Sequence, residues 1–294
     1  MTTEEIRISV RDLVKKFGDQ TVLTGINLDI RAGETVVIMG GSGCGKTTLL
    51  RILIGSHKPT SGTVTLLGQD IASLNSDEFD ALKKKFGILF QSGALFQSMS
   101  IGDNVALPLQ EHSDLDAATI EMIVKMKLEM VGLREHANKL PSQISGGMMK
   151  RAGLARAIAM DPKIIFYDEP SAGLDPVTSA GIDQLILELT RGQGFTNVVV
   201  THEMDSAFTI ADRMVMLDQG RVLKVDTREE FDRIRKLPAE QVHTLSEDEQ
   251  IVYQFLRGDA NGPITRRKST DDYKDDLLGI DAQGNERAES TYGR

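Results

Sequence analysis

The chain has 294 residues, 40% hydrophobic and 26% charged, with a formal charge of -9, long enough for one large domain or one domain with appendages. That charge argues against broad nucleic-acid binding, which needs a basic face. No apolar run approaches the roughly 18 residues of a membrane span, and Met1-Thr2-Thr3-Glu4-Glu5 does not open a signal peptide, so the expectation is a cytosolic chain unless something else holds it at a membrane.

Ile6, Ile8 and Val10 alternate, and Val22, Ile26, Leu28 and Ile30 do so after the turn at Gly18-Asp19, which predicts two strands of an antiparallel sheet over 6–10 and 20–30. Phe17, in the turn region, suits either plain packing or stacking on an adenine ring. The apolar run Thr35 to Met39 then leads into Gly40-Gly41-Ser42-Gly43-Cys44-Gly45-Lys46-Thr47-Thr48, followed by the apolar Leu49-Leu50 and Ile52-Leu53-Ile54. Strand, glycine loop and helix in that order make a phosphate-binding loop. Its glycines let backbone N–H groups turn inward, and the helix adds the positive end of its dipole. Lys46 is placed to reach the β- and γ-phosphates and Thr47 to ligate Mg²⁺. Cys44, the single cysteine, excludes an internal disulfide and reads as a small filler of the loop.

Residues 57–62 form a loop and 63–67 a short strand; Asn75 and Glu78 have the spacing of a capping box for the next helix, after which 86–90 returns as a buried strand ending at Gln91. Residues 92–160 change character, with one helix over 114–131 stopped by Gly132 and another over 146–160, a helical insertion in an α/β chain. Met122, Met126 and Met130 recur at helical spacing, read first as core and second as a groove for a partner helix.

Ile164 to Tyr167 and Val198 to Val200 are apolar strands that end in Asp168-Glu169-Pro170 and Thr201-His202-Glu203, with a helix between them from about Pro176 to Leu189 capped by Asp175. Strands separated by helices imply a parallel sheet covered on both faces, whose ligands lie at the strands' carboxyl ends. A hairpin over 213–225 and a capped amphipathic helix from Ser246 to Leu256 complete the elements; the tail beyond Gly258 is polar apart from Leu277-Leu278-Gly279-Ile280.

In this setting Asp168 suits Mg²⁺, and Glu169 suits orienting or deprotonating an attacking water. His202 is open to two readings, a surface or packing residue or a sensor of the γ-phosphate. Gln91, also at a strand end, can link metal or water to the helical insertion. Ser145 is an N-cap with Gly146 and Gly147 behind it, or else opens a second anion-binding helix start.

Together these motifs resemble the ATP-binding cassette (ABC) ATPase family over about residues 6–225: the aromatic Phe17, Walker A Gly40 to Thr48, the Q-loop Gln91, the signature Ser145-Gly146-Gly147, Walker B Asp168 with Glu169, the D-loop Ser171 to Asp175 and the switch His202. The signature departs from the family pattern at Met148, where glutamine is usual. Phe90 to Phe96, Asp103 to Ala106, the Met126 to Glu129 helix, Gln254 to Leu256 and the later Asp272-Tyr273 and Asp276 to Leu278 look more narrowly like the Mla and Mkl family of lipid-transport ATPase subunits. The resemblance implies an α/β ABC nucleotide-binding domain over 1–245, with an antiparallel N-terminal β-subdomain, a parallel P-loop sheet and a helical subdomain at about 92–160. A C-terminal helix and extended tail over 246–294 would then reach a second copy. It further implies ATP and Mg²⁺, the metal held by Thr47, Asp168 and Gln91, and a head-to-tail homodimer with each ATP between the loop of one copy and Ser145 of the other. The implied activity is ATP hydrolysis driving phospholipid movement between the inner and outer membranes, with import of another small solute, or else a non-transport ABC ATPase, as the alternatives. The implied partners are an MlaE-type permease, an MCE-domain (MlaD-type) lipid-binding protein and, in some members, a STAS-domain (MlaB-type) protein, with no nucleic acid. Its place would be peripheral, on the cytoplasmic face of the inner membrane.

Overall fold

The computed structural model describes residues 5–266, which fall into two compact units, the first ending at Asp232 and the second beginning at Arg233. In the first unit β1 (Ile6–Phe17) and β2 (Gln20–Arg31) form a long antiparallel hairpin, running further than the alternation over 6–10 predicts. The register shifts between Val10 and Leu13 and again near Lys15, so strict alternation breaks while both strands continue. One consequence is that Leu23, rather than Val22, is fully buried. Next comes β3 (Thr35–Gly40), with Val36 to Met39 wholly inaccessible; each such aliphatic side chain stabilises the fold by about 1.5–3 kcal/mol.

After β3 the chain enters α1 (Lys46–Leu53), then β4 (Ser61–Leu66), β5 (Gln69–Asp70), α2 (Ser76–Lys83) and β6 (Phe86–Leu89). The capping box of α2 is complete: Glu78 N–H donates to Asn75 Oδ1 at 3.0 Å, and Asn75 N–H to Glu78 Oε2 at 2.9 Å. Such a cap contributes about 1 kcal/mol.

The helical insertion holds α3 (Ile101–His112), α4 (Ala117–Met130) and α5 (Gly146–Ala157). Sequence pattern does not predict α3, because Pro108 lies inside it and proline ordinarily ends a helix. A Ser100–Asp103 capping box starts this helix, and the fully buried Asn104 ties the preceding loop to it, accepting from Phe96 N–H at 2.7 Å and donating to Phe96 O and Ser100 O. The methionine stripe on α4 is not core: Met122 and Met126 are 62% and 58% exposed, and the inward face is Ile120, Val124, Lys127 and Leu128.

The chain returns through β7 (Ile164–Asp168), α6 (Pro176–Gln193), β8 (Thr196–Val200), α7 (Met204–Ile210), β9 (Arg213–Asp218) and β10 (Arg221–Thr227). Two sheets result, an antiparallel one ordered β2-β1-β4-β5 and a six-stranded one ordered β10-β9-β3-β8-β7-β6. In the second sheet only the β9–β10 pair is antiparallel. Then α8 (Arg228–Arg235) crosses into the second unit, where α9 (Glu247–Arg257) carries the expected Ser246–Glu249 capping box and ends at Gly258 in the left-handed region. Among the described residues no helix is long and apolar enough to cross a membrane. The residues at 272–280 singled out in the tail lie outside the described residues.

Candidate active site

Strand register puts the candidate residues on one edge. Ile38 of β3 and Asp168 of β7 both stand opposite Val200 of β8, and Leu89 of β6 stands opposite Tyr167. Gly40, Asp168 and Glu169, His202, and Gln91 therefore leave four adjacent parallel strands at the same carboxyl-terminal side, where an open sheet binds its ligands.

The phosphate loop is built around missing side chains. A Cβ at Gly40 would lie 2.2 Å from Leu217 O, and one at Gly45 would lie 2.6 Å from Leu23 Cδ2, with φ at +150° and +109°. Lys46 is folded back under the loop, its Nζ donating to Gly40 O at 2.8 Å and Gly41 O at 3.1 Å. Burial pushes the Cys44 thiol above its ordinary value, in keeping with a filler; Ser42, Gly43 and Thr47 are exposed and Gly41 and Thr48 half-buried. Burial and then the Glu169 carboxylate push the half-buried Asp168 carboxyl up, against the pull of Arg51 and Lys46. A divalent cation would relieve that crowding. A hydroxyl, an amide and one carboxylate beside phosphate oxygens make the sparse oxygen set that Mg²⁺ takes.

Glu169 sits just past the strand end at φ +50°, a left-handed conformation that costs a non-glycine residue about 1–3 kcal/mol and persists only where its surroundings dictate it. Its N–H donates to Val200 O at 2.9 Å, while its carboxylate faces His202, whose Nδ1 lies 2.8 Å from Oε1 and whose backbone N–H lies 3.4 Å from Oε2. His202 thus holds the carboxylate, a contact the sequence did not foretell, and its ring remains largely exposed.

Ser145 caps α5, its Oγ accepting from Met148 N–H at 3.3 Å, and remains exposed together with Gly146. Because the cap uses the backbone of Met148, replacing Met148 by Gln should leave the helix start intact; ATPase activity within about threefold of wild type in a steady-state assay is the expected result, and loss of most of it would contradict this. Gly147 is buried against α6, where a Cβ would come within 2.5 Å of Thr178 Cγ2. Thr178 in turn donates to Asp175, whose carboxylate also accepts from Val177 and Thr178 N–H and so caps α6. The loop from Ser171 to Asp175 and the signature glycines are therefore neighbours within one chain. Among the described residues Ser145 shares no hydrogen bond with the phosphate loop of its own chain. Phe17, on the antiparallel sheet, is 45% exposed, with the His57 ring edge-on at 5.6 Å and Lys15 Nζ 4.7 Å from its centre.

Two basic residues of α5 that no sequence motif singles out also reach the site. Lys150 Nζ donates to Glu169 O at 3.0 Å and to Ala172 O at 2.8 Å. Burial lowers its pKa, against the opposing effect of the Glu203 and Glu169 carboxylates. Arg156 donates to Gly93 O and Ala94 O, just after Gln91. Helix position hints at neither contact, since a basic residue on a helix is ordinarily solvated.

Residues 23–172 match the family described as ABC transporter. The intermembrane phospholipid transport system ATP-binding protein MlaF of Haemophilus influenzae is 40% identical over 271 residues, 92% of this chain and 98% of that protein. The probable ribonucleotide transport ATP-binding protein mkl of Mycobacterium leprae is 41% identical over 91% of this chain and 73% of that one. Among solved structures, the dimeric post-hydrolysis state of the ATP-binding cassette MJ0796 bound to ADP and Pi superposes with a TM-score of 0.69 at 34% identity, covering 75% of this chain and 98% of that one. The cbiO1 protein of Clostridium perfringens, part of the ABC transporter complex cbiONQ, gives 0.72 at 28% identity, covering 82% of this chain and 99% of that one.

Proposed function

The chain belongs to the ABC transporter family as an ATP-hydrolysing subunit, and from that premise we propose that its cargo is phospholipid moving between the inner and outer membranes. The observation that carries the cargo is the likeness to a phospholipid-transport ATPase along 98% of that protein's length, which takes in the second unit as well as the ATPase core. Residues 1–245 form the ATPase domain in this reading, with the helical subdomain at about 92–160, and 246–294 form the extension that meets a second copy.

Gly40 to Thr48 cradle the triphosphate, and Lys46 leaves its loop carbonyls to pair with the β- and γ-phosphates. Phe17 offers its exposed ring to the base. Thr47, Asp168 and Gln91 would hold Mg²⁺, which when bound would draw off charge from the phosphate oxygens. Glu169 orients the attacking water and accepts its proton, His202 keeps that carboxylate in place, and Ser145, Gly146, Gly147 and Asp175 complete the nucleotide site of a second copy. The solved MJ0796 cassettes are dimers, which supports the homodimer. Exposed Phe90, Phe96, Met122 and Met126 give an MlaE-type permease an apolar surface, and an MCE-domain lipid-binding protein and a STAS-domain protein complete the complex at the cytoplasmic face of the inner membrane.

Pull-down of the tagged chain from intact membranes is expected to recover a permease, an MCE-domain protein and bound phospholipid. ATPase stimulation by ribonucleotides, with no lipid or MCE-domain protein recovered, would transfer the assignment to the solute named for the mycobacterial relative.

A further inference from the structure

Glu169 is clamped on both sides of its left-handed backbone. Its N–H is held by β8 through Val200 O at 2.9 Å, and its carbonyl by Lys150 Nζ at 3.0 Å. The same ammonium reaches Ala172 O at 2.8 Å, so one side chain of α5 fixes both the residue that faces the attacking water and the loop that follows it. Lys150 is only 5% exposed, so it is a built strut rather than a surface lysine that happens to lie nearby. The helix that carries it is itself wedged. Gly147 has no room for a Cβ against Thr178, and Gly93 packs on the α5 backbone, where a Cβ would stand 3.0 Å from Met149 O. Displacement of the Ser145 end of α5 must therefore be felt at the carbonyl of Glu169.

We infer that Lys150 is a positioning residue that couples the Ser145 end of α5 to Glu169 of the same chain. This rests on the reading of Glu169 as the hydrolytic carboxylate and of Ser145 as a contact to the second copy's nucleotide. With those roles, the nucleotide gripped by α5 at one site sets the carboxylate at the other, so the two sites of the dimer fire in a concerted way. Arginine keeps the charge and the donors, whereas methionine approximates the volume and donates nothing.

The test uses the full chain purified with the membrane subunits it binds. K150M is expected to lower kcat by about 10²-fold through misplacement of Glu169, with ATP affinity unchanged and the Hill coefficient for ATP falling towards one. K150R is expected to recover most of the rate and the cooperativity. Wild-type kcat and cooperativity in a folded K150M, an affinity loss as large as the rate loss, or K150R as slow as K150M would each overturn the proposal. Should K150M lack a thermal transition, K150Q is compared with K150R under the same expectations. E169Q is assayed alongside: its retaining full hydrolysis would remove the reading of Glu169, whereas an inactive E169Q beside a fully active K150M would remove the coupling alone.

Discussion

Replacing Glu169 by Gln is expected to lower steady-state ATP hydrolysis by about a thousandfold, within the range that a positioned general base contributes. The substitution is nearly isosteric. The left-handed backbone, the N–H bond to Val200 O and the clamp from Lys150 all involve main-chain atoms and survive it. The amide oxygen of Gln can still meet His202 Nδ1, which stands 2.8 Å from the carboxylate in the native chain. What disappears is the capacity to take a proton from water, so nucleotide binding should persist while turnover stops. With ATP retained and unhydrolysed, the closed dimer should accumulate, visible as a shift from monomer to dimer by size-exclusion chromatography when ATP and Mg²⁺ are present. Hydrolysis at the wild-type rate would remove Glu169 from its role, and a catalytically dead variant that stays monomeric with ATP would remove the shared-nucleotide dimer instead.

The parts of the site that are legible in sequence are those whose chemistry is local. Gly40 to Thr48 stand between a strand and a helix, with glycines, Lys46 and Thr47 at fixed offsets within nine consecutive residues, so spacing alone points to a phosphate loop. Asp168 and Glu169 stand out because they close an apolar run, and register brings that end beside the end of β8; His202 stands out only by its place two residues after Val200, and its contact with Glu169 does not. Caps are local too, and the boxes at Asn75 and Ser246 form as their spacing predicts. The failures share the opposite property. Helix α3 contains Pro108, and its start at Ser100 is stabilised by Asn104 reaching back to Phe96, a bond that exists only once the loop is folded. The methionines of α4 lie at helical spacing, but the spacing also fits the outward face, and burial goes to Ile120, Val124 and Leu128 instead. Lys150 and His57 act on residues far along the chain, Glu169 and Phe17, and no pattern in a single sequence encodes such pairs.

Lys46→Ala is expected to weaken ATP binding by roughly a hundredfold, the loss of one or two charge-assisted hydrogen bonds to phosphate. In the free chain the ammonium rests on Gly40 O and Gly41 O, and it is 9% exposed, so it is already desolvated and needs only to turn towards an arriving phosphate. Arginine is not an equivalent replacement, since its planar guanidinium cannot act as a compact point charge. The measurement is thermal denaturation with and without nucleotide. At an ATP concentration about one hundred times the wild-type Kd, binding stabilises the native chain by about 2.7 kcal/mol; the same concentration is only about equal to the Kd of the variant and stabilises it by about 0.4 kcal/mol. The melting temperature without nucleotide should fall modestly, because the buried Gly40 carbonyl loses its donor while the half-buried Gly41 carbonyl can turn to water. An ATP-induced shift in Lys46→Ala equal to that of the wild type would mean that backbone N–H groups and the α1 dipole hold the triphosphate unaided, and the role given to Lys46 would be lost.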